Sequence, residues 1–360
     1  MNNPFNISFG KKPHQHISRF MAVHKVVETF SSEYPSTQVY LITGLRGSGK
    51  TVLMTEILQE FKDEKDWITI ELNPEQDLLN DLVSKLYNMP KLKNHFVKAK
   101  LDLSLFGIGV SLERNATIST AESLLNQMFE ILKKQKKKLL ITIDEVTNSQ
   151  NVKTFASAFQ IFIRQDYELF LLMTGLYENI YNLQNEKTLT FLYRAPKLFT
   201  EPLNAGAVRN SYMEIFDIPE EEAAKMASLT KGYAFAYQLL GYIKWEHKNA
   251  RLELLLREYD QYLQEFVYDK IWSELSDKDR KVIKAIAETT NESGDVKVGV
   301  VIEKAGMTSS LFSSYRERLT LKGIIDTSKY GYVSLTLPRF AEYVKDKVMM
   351  DEALITEKGW

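Results

Sequence analysis

A glycine-rich segment early in the chain has the residue types and the spacing needed to bind phosphate. It follows an apolar run that starts at Gln38, matches the pattern G-x-x-x-x-G-K-[ST], and consists of Gly44, Leu45, Arg46, Gly47, Ser48, Gly49, Lys50 and Thr51. Glycines let the backbone curve closely around phosphate groups, so that successive N–H groups point inward. The lysine of such a segment reaches the β- and γ-phosphates, and the threonine hydroxyl binds Mg²⁺. The segment therefore predicts a nucleotide site that uses Mg²⁺.

A pair of carboxylates, Asp144 and Glu145, ends a second apolar run, Leu139 to Ile143. At the carboxyl end of a strand, Asp144 can hold Mg²⁺ through water, and Glu145 can orient and deprotonate an attacking water. A guanine-specific site would need an Asn-Lys-x-Asp motif after this strand, and the sequence has none. We therefore expect the nucleotides to be ATP and ADP.

Two further residues are candidates for a part in hydrolysis. Thr174 ends the apolar run that starts at Leu169, where its hydroxyl would lie beside the γ-phosphate and help to position the water. Arg194 precedes the segment KLFTEPL, and it would stabilise developing charge if it were offered to the γ-phosphate of a neighbouring subunit. The alternatives are an ordinary threonine at a strand end and a surface arginine. The arginine interpretation implies a homo-oligomer in the ATP-bound state.

The elements that must position these residues alternate between strand and helix. Apolar β-rich runs at Gln38 to Thr43, Trp67 to Leu72, Leu139 to Ile143 and Leu169 to Gly175 are separated by segments of helical period. This alternation predicts an α/β fold with a parallel sheet covered on both faces. Alternating residues from Leu101 to Leu112 predict a β-hairpin inserted at about residues 98–114. It would be either a contact for a partner or DNA, or an addition to the edge of the sheet.

The strand pattern stops after Leu203, and the sequence then has a helical period from Ala205 to about Glu265. Three helices and two short strands around Lys329 to Gly331 follow, which is the pattern of a winged helix-turn-helix domain. We therefore expect four segments. They are the core at 1–203, a helical lid at 204–267, a winged helix at 268–348 and a C-terminal tail at 349–360.

Composition limits the class of protein without naming a function. The 360 residues include 46 Lys and Arg against 47 Asp and Glu, and no Cys. The absence of Cys excludes a disulfide scaffold and a thiolate metal site. The longest apolar stretch, Leu169 to Met173, is far shorter than the ~20 residues that span a bilayer. We expect a soluble cytoplasmic protein without a membrane partner.

Taken in order, GLRGSGKT, LLITIDE, LLMTG, YRAPKLFTEPL, the helical lid and the winged helix resemble the AAA+-related P-loop ATPases of the STAND and archaeal initiator type. The resemblance covers essentially the whole chain. It implies that Thr174 is the sensor 1 residue and that Arg194 is the arginine finger. It also implies that the segment before the core contacts adenine, through Ile17 and Ser18. The chain departs from the family at Lys231 to Ala236, which has no sensor 2 arginine and has Ala234 where STAND proteins have proline.

The partner of the C-terminal region is either double-stranded DNA or a protein. Winged helices bind DNA through a recognition helix and a basic wing. The candidate contacts here are Ser313, Arg316, Arg318 and Lys329. Residues 270–347 hold 14 Lys and Arg and 11 Asp and Glu, a difference of +3 that is small for a DNA-binding surface.

Two functions remain open at this point. In the first, the protein hydrolyses ATP and couples its nucleotide state to DNA or a protein partner through the winged helix. In the second, it is a winged-helix regulator for which ATP is a switch ligand with negligible turnover. Glu145 favours the first function, because a protein that only binds ATP has no need of a general base. The missing sensor 2 arginine favours slow turnover.

Overall fold

The computed structural model describes residues 2–8, 10, 12–98, 118–291 and 294–357, with the side chains of 118–120 and 351–357 left out. The chain divides into two compact units. The first, called here the sheet unit, comprises the described residues of 18–43 and 50–199. The second, called the helical unit, comprises those of 1–17, 44–49 and 200–360. The chain thus leaves the sheet unit at Gly44 and re-enters it at Lys50.

The sheet unit contains a five-stranded parallel sheet. Its strands are β1 Val39–Thr43, β2 Trp67–Leu72, β3 Lys138–Ile143, β4 Leu169–Gly175 and β5 Lys197–Phe199, and their order is β2-β3-β4-β1-β5. Every adjacent pair is parallel. All residues of β1 and β4 are buried, as expected for the central strands of a sheet with both faces covered. The predicted parallel α/β sheet is confirmed.

Helices cover both faces of this sheet. They are α1 Phe20–Ser31, α2 Lys50–Lys62, α3 Leu78–Tyr87, α4 Pro90–Lys98, α5 Ile118–Lys134, α6 Gln150–Ile163, α7 Tyr177–Gln184 and α8 Thr190–Tyr193. Alternate residues of β3 join different hydrophobic clusters: Leu139 and Ile141 pack with α3, α5 and α6, whereas Leu140 packs with α1 and α2. The period of two along the strand therefore separates two cores. The predicted hairpin at Leu101 to Leu112 lies outside the described residues.

After Thr200, the helical unit contains a group of helices. These are α9 Ala205–Phe216, α10 Glu220–Thr230, α11 Ala234–Glu246 and α12 Leu252–Leu263, followed by a π-helical turn at Gln264–Tyr268 and by α13 Asp269–Ser273. The N-terminal segment packs into this group. The ring of Phe5 occupies the space left by the missing side chain of Gly241, and it lies 5.6 Å from the ring of Tyr237 and 5.7 Å from that of Phe216.

The C-terminal module of the helical unit, residues 277–357, combines helices with a small antiparallel sheet. Its elements are α14 Asp277–Thr289, β6 Val296–Lys297, α15 Val298–Ala305, α16 Ser309–Leu321, β7 Ile325–Asp326, β8 Tyr332–Leu335 and α17 Phe340–Glu357. The strand order is β6-β8-β7, with both pairs antiparallel. Ser276 and Asp279 form a capping box that starts α14. Helix α17 extends through residue 349, where the sequence predicted the start of a tail.

In the part of the chain that the structure describes, no helix is long and apolar enough to cross a membrane.

Candidate functional site

The carboxyl ends of three neighbouring strands bring the predicted chemical residues of the sheet unit to one edge. In β1 and β4, Ile42 is opposite Thr174, and in β3 and β4, Ile143 is opposite Met173. Asp144 follows Ile143 directly. In open parallel sheets, the crevice at the carboxyl ends of the strands is where ligands bind.

Helix α2 begins at Lys50, the lysine of the glycine-rich motif. Lys50 is buried, with 8% of its side chain exposed, and Thr51 in the same first turn is half-buried. The first N–H groups of a helix have no partner within the helix and carry the positive end of its dipole. An anion such as a phosphate is therefore stabilised at the start of α2.

Four residues form a hydroxyl–carboxylate cluster, defined here as Thr51, Asp144, Glu145 and Thr174. The Thr51 hydroxyl donates to Oδ2 of Asp144 at 2.8 Å, and the Thr174 hydroxyl donates to Oδ1. The N–H of Glu145 lies 3.0 Å from Oδ1 of Asp144 and 3.1 Å from the Thr174 hydroxyl oxygen. The donors of these bonds to the Asp144 carboxylate, two hydroxyls and a backbone N–H, are neutral groups.

The backbone at Glu145 has φ of +53°, in the left-handed region. This conformation costs a residue other than glycine about 1–2 kcal/mol. The next residue, Val146, donates its N–H to the carbonyl of Thr174 at 2.8 Å, which holds the turn against β4. The Glu145 side chain is exposed, while its neighbours Ile143 and Val146 are buried. Strained backbone conformations of this kind are concentrated at functional sites.

An open cleft of about 510 Å³ adjoins Asp144 in the sheet unit. It is lined by Glu71, Leu72, Asn73, Pro74, Lys85 and Asp144. Lys85 is held on its wall by bonds from its Nζ to the Glu71 carbonyl at 2.7 Å and to the Asp81 carboxylate at 2.8 Å. Asn73 and Lys85 are not among the residues predicted from the sequence, although Asn73 follows the carboxyl end of a predicted strand, where ligands bind.

The glycine-rich residues Gly44–Gly49 belong to the helical unit and are held there by α11 and the segment before it. The Tyr233 hydroxyl donates to the carbonyl of Arg46, and the N–H of Phe235 donates to the carbonyl of Gly47 at 3.0 Å. Gly47 and Gly49 have φ of +72° and +90°, which glycine adopts without strain.

Ser48 is held by a second set of contacts in the helical unit. Its hydroxyl donates to the carbonyl of Leu45 at 2.7 Å and lies 2.5 Å from the hydroxyl of Thr200. A side chain at Gly44 would collide with Thr200. The loop conformation therefore requires glycine at this position as well as at Gly47 and Gly49.

The residues predicted to contact adenine lie at the end of the N-terminal segment. Ile17 is half-buried against the hydrophobic core of the helical unit, and Ser18 is exposed. Arg194 is exposed at the end of α8. Among the described residues, no hydrogen bond or ion pair joins Arg194 to the hydroxyl–carboxylate cluster.

Two of the four predicted DNA contacts in the C-terminal module are engaged in ion pairs. Arg318 donates to the carboxylate of Asp279, and Lys329 lies 2.7 Å from the carboxylate of Asp295. Ser313 is exposed and Arg316 is half-buried on the same helix as Arg318. Both of these basic side chains thus have a protein carboxylate as a partner while remaining partly exposed.

Two family models match the chain. Residues 17–189 match an ATPase domain predominantly from Archaea, and residues 265–344 match a domain of unknown function. The first range contains β1 to β4, Lys50, Thr51 and the remaining members of the hydroxyl–carboxylate cluster. The comparison with curated proteins gave no match.

Two solved structures show the same fold over nearly the whole chain. The Walker-type ATPase PABY2304 of Pyrococcus abyssi has a TM-score of 0.64 at 16% identity, over 91% of this chain and 96% of that chain. The ORC2 protein of Aeropyrum pernix, solved as ADPNP-ADP complexes, has a TM-score of 0.61 at 13% identity, over 96% of this chain and 98% of that chain. Residues 17–189 are therefore similar to an archaeal-type ATPase domain, and the chain shares the fold of these two solved structures.

Proposed function

We propose that the protein binds ATP with Mg²⁺ and hydrolyses it. The observation that carries this proposal is the hydroxyl–carboxylate cluster, in which the threonine of the phosphate motif donates to the first carboxylate of the Asp144-Glu145 pair. A phosphate motif alone supports nucleotide binding, but a Mg²⁺ ligand and a general base beside it support turnover. The match of residues 17–189 to an archaeal ATPase domain supports the same proposal.

The donor set of the cluster fits Mg²⁺. Its side chains offer only oxygen atoms: two hydroxyls, at Thr51 and Thr174, and the two carboxylates of Asp144 and Glu145. Mg²⁺ prefers oxygen ligands and is bound through one or two carboxylates together with phosphates and waters. We assign Thr51 and Asp144 as the residues that hold the ion, which when bound would neutralise charge on the phosphate oxygens.

The other residues act on the phosphates and on the water. Lys50 binds the β- and γ-phosphates. Glu145 accepts a proton from the attacking water while the water oxygen forms its bond to the γ-phosphorus. The bond from the γ-phosphorus to the bridging oxygen breaks, leaving ADP and inorganic phosphate. Thr174 holds the Asp144 carboxylate and helps to position the water. In a homo-oligomer, Arg194 of one subunit would stabilise charge in the site of its neighbour.

The adenine base would contact the N-terminal segment at Ile17 and Ser18. Adenine is favoured because the sequence has no Asn-Lys-x-Asp motif. The structural relative from Aeropyrum pernix was solved as ADPNP-ADP complexes, which supports adenine nucleotides as ligands for this fold. We place the protein with the STAND branch of AAA+ ATPases, because the segment Lys231 to Ala236 has no sensor 2 arginine.

We propose that the C-terminal region at 268–348 has a winged-helix fold and binds a partner. The order of three helices with a three-stranded antiparallel sheet supports this fold. The ion pairs of Arg318 and Lys329 favour a protein partner over double-stranded DNA. Binding of DNA that weakens with salt and is lost in Arg316→Ala would reverse this choice.

A regulator that uses ATP as a switch ligand is the second candidate. The observation that favours it is the missing sensor 2 arginine in the segment Lys231 to Ala236. Binding of ATP with no measurable release of phosphate would support it over the ATPase.

Titration with a fluorescent ATP analogue tests nucleotide binding directly. We expect Lys50→Ala to weaken the affinity by about a hundredfold, because a buried cation that contacts two phosphates is removed. Lys62→Ala is the matched control, since Lys62 is an exposed lysine in the last turn of the same helix. Equal affinities of the wild type and Lys50→Ala would contradict the proposal.

A further inference from the structure

The glycine-rich residues Gly44–Gly49 are called here the phosphate loop. In this loop, the carbonyl groups of Arg46 and Gly47 both accept hydrogen bonds from residues at the start of α11. Tyr233 donates its hydroxyl to Arg46, and Phe235 donates its backbone N–H to Gly47. The two donors are two residues apart, and both belong to the helical unit together with the loop. No side-chain periodicity relates residues 46 and 233, so only the folded structure reveals this contact.

Tyr233 is well placed to act as a fixed donor. Its side chain is 7% exposed, and burial raises the pKa of Tyr233 well above its usual range, so the hydroxyl stays protonated at neutral pH. Its backbone N–H donates to Thr230 at 2.8 Å. The carbonyl of the preceding residue, Gly232, accepts the N–H of Leu203 at 2.8 Å. These backbone hydrogen bonds hold the turn that carries the Tyr233 ring.

The loop is shaped to receive this tyrosine. A Cβ at Gly47 would collide with the Tyr233 hydroxyl and would lie 3.1 Å from the Cβ of Phe235. Gly47 also has a positive φ. The glycine is thus needed for the approach of Tyr233 as well as for its own backbone conformation.

Fixing the carbonyl of Arg46 also fixes the amide that follows it. The carbonyl of one residue and the N–H of the next share a planar trans peptide and point in opposite directions. Because the Arg46 carbonyl points to Tyr233, the N–H of Gly47 points away from it. Backbone N–H groups of this loop are the groups that bind phosphate oxygens.

We propose that Tyr233 is a positioning residue of the nucleotide site, which holds the Arg46 carbonyl so that the Gly47 amide is oriented to bind phosphate. This inference rests on the proposed binding of nucleotide by the loop. Through this hydrogen bond, the predicted helical lid contacts the phosphate loop directly, in a chain that has no sensor 2 arginine. Two further contacts tie the loop to the helical unit: Arg46 pairs with Glu274 at 3.8 Å, and Leu45 lies against Gly323.

The test compares Tyr233→Phe with Tyr259→Phe. Tyr259 is a matched control because it is also buried, and its hydroxyl donates to the carbonyl of Leu229, at 3.1 Å, outside the loop. Both variants remove one hydroxyl and leave one carbonyl without its donor, so we expect similar decreases in the thermal midpoint. Only Tyr233→Phe should weaken ADP binding, by about tenfold, which corresponds to about 1.4 kcal/mol. ADP affinity is measured by calorimetric titration at a temperature at which all variants are folded.

Two results would overturn the inference. The first is an unchanged ADP affinity in Tyr233→Phe while Lys50→Ala loses binding, which leaves the proposed function intact. The second is an equal weakening in Tyr233→Phe and Tyr259→Phe, which would show a general effect of lid stability. If Lys50→Ala binds ADP as the wild type does, the proposed nucleotide site fails, and the positioning role fails with it.

Discussion

Asp144 in the sheet unit and Asp279 in the helical unit are both carboxylates at the end of a regular element, but the charges of their partners differ. Asp144 accepts hydrogen bonds from two threonine hydroxyls and a backbone N–H. Asp279 is 1% exposed and is surrounded by the guanidinium of Arg318, the ammonium of Lys322 at 3.8 Å and the hydroxyl of Ser276. These bonds orient the Asp144 carboxylate and bring no positive charge to it, whereas Asp279 has cationic partners within the fold.

This difference separates a functional carboxylate from a structural one. Neutral donors orient a carboxylate without cancelling its attraction for a metal ion. A buried carboxylate with cationic partners is instead part of the stability of the module, because removing one partner leaves the others uncompensated. Substitutions at the two positions should therefore change different measured quantities.

The largest effect is expected for Asp144→Asn. Loss of the anionic ligand should lower the rate of phosphate release by about a thousandfold, since a bound metal ion contributes several kcal/mol to the transition state. The thermal midpoint should change little, because asparagine keeps the size of the side chain, its Oδ1 can still accept from Thr174 and Glu145, and the Thr51 hydroxyl can turn to accept from the new amide. Asp63→Asn, at an exposed position of the same unit, serves as the control. A decrease in stability with unchanged turnover would assign Asp144 to the structural class.

The reverse pattern is expected for Asp279→Asn. The free energy of unfolding should fall by about 3 kcal/mol, at the lower end for a broken buried pair because Arg318 is partly exposed. Urea denaturation followed by circular dichroism measures this change, and the folded variant should bind ADP normally. Asp277→Asn is the control, as this carboxylate in the same first turn is fully exposed. A variant as stable as the wild type would remove Asp279 from the structural class.

A smaller effect is expected for Thr174→Val. The substitution keeps the shape of the side chain and removes the hydroxyl that holds Asp144, so phosphate release should slow by about tenfold. Thr174→Ser keeps the hydroxyl and should restore most of the rate. If Val and Ser at this position give the same rate, the hydroxyl has no part in orienting Asp144.

The sheet and the chemical residues at its edge could be predicted from the sequence because their signals are local. The bounds of β2 and β4 agree with the apolar runs from Trp67 to Leu72 and from Leu169 to Gly175. The phosphate motif and the Asp144-Glu145 pair follow such runs directly, and parallel pairing brings strand ends together. The capping box of Ser276 and Asp279 is also a local feature, since its members are three residues apart.

The remaining features depend on contacts between distant parts of the chain. Tyr233 contacts a loop residue 187 positions away, and no local pattern in the sequence predicts that contact. The N-terminal segment, predicted only to contact adenine, also places Phe5 in the core of the helical unit. The pairing of Arg318 with Asp279 joins two helices, so the sequence could not distinguish this arginine from one free to bind DNA. The two-residue strand β6 is too short to show a period.

We propose that ATP is hydrolysed at the carboxyl edge of the sheet with Glu145 as the general base. The most direct measurement is Mg²⁺-dependent phosphate release by the wild type and by Glu145→Gln, with Glu64→Gln as an exposed control. We predict that Glu145→Gln binds ATP but releases phosphate about a hundred- to ten-thousandfold more slowly than the wild type. Equal rates for Glu145→Gln and the wild type, with both proteins bound to ATP, would show that Glu145 is not the general base.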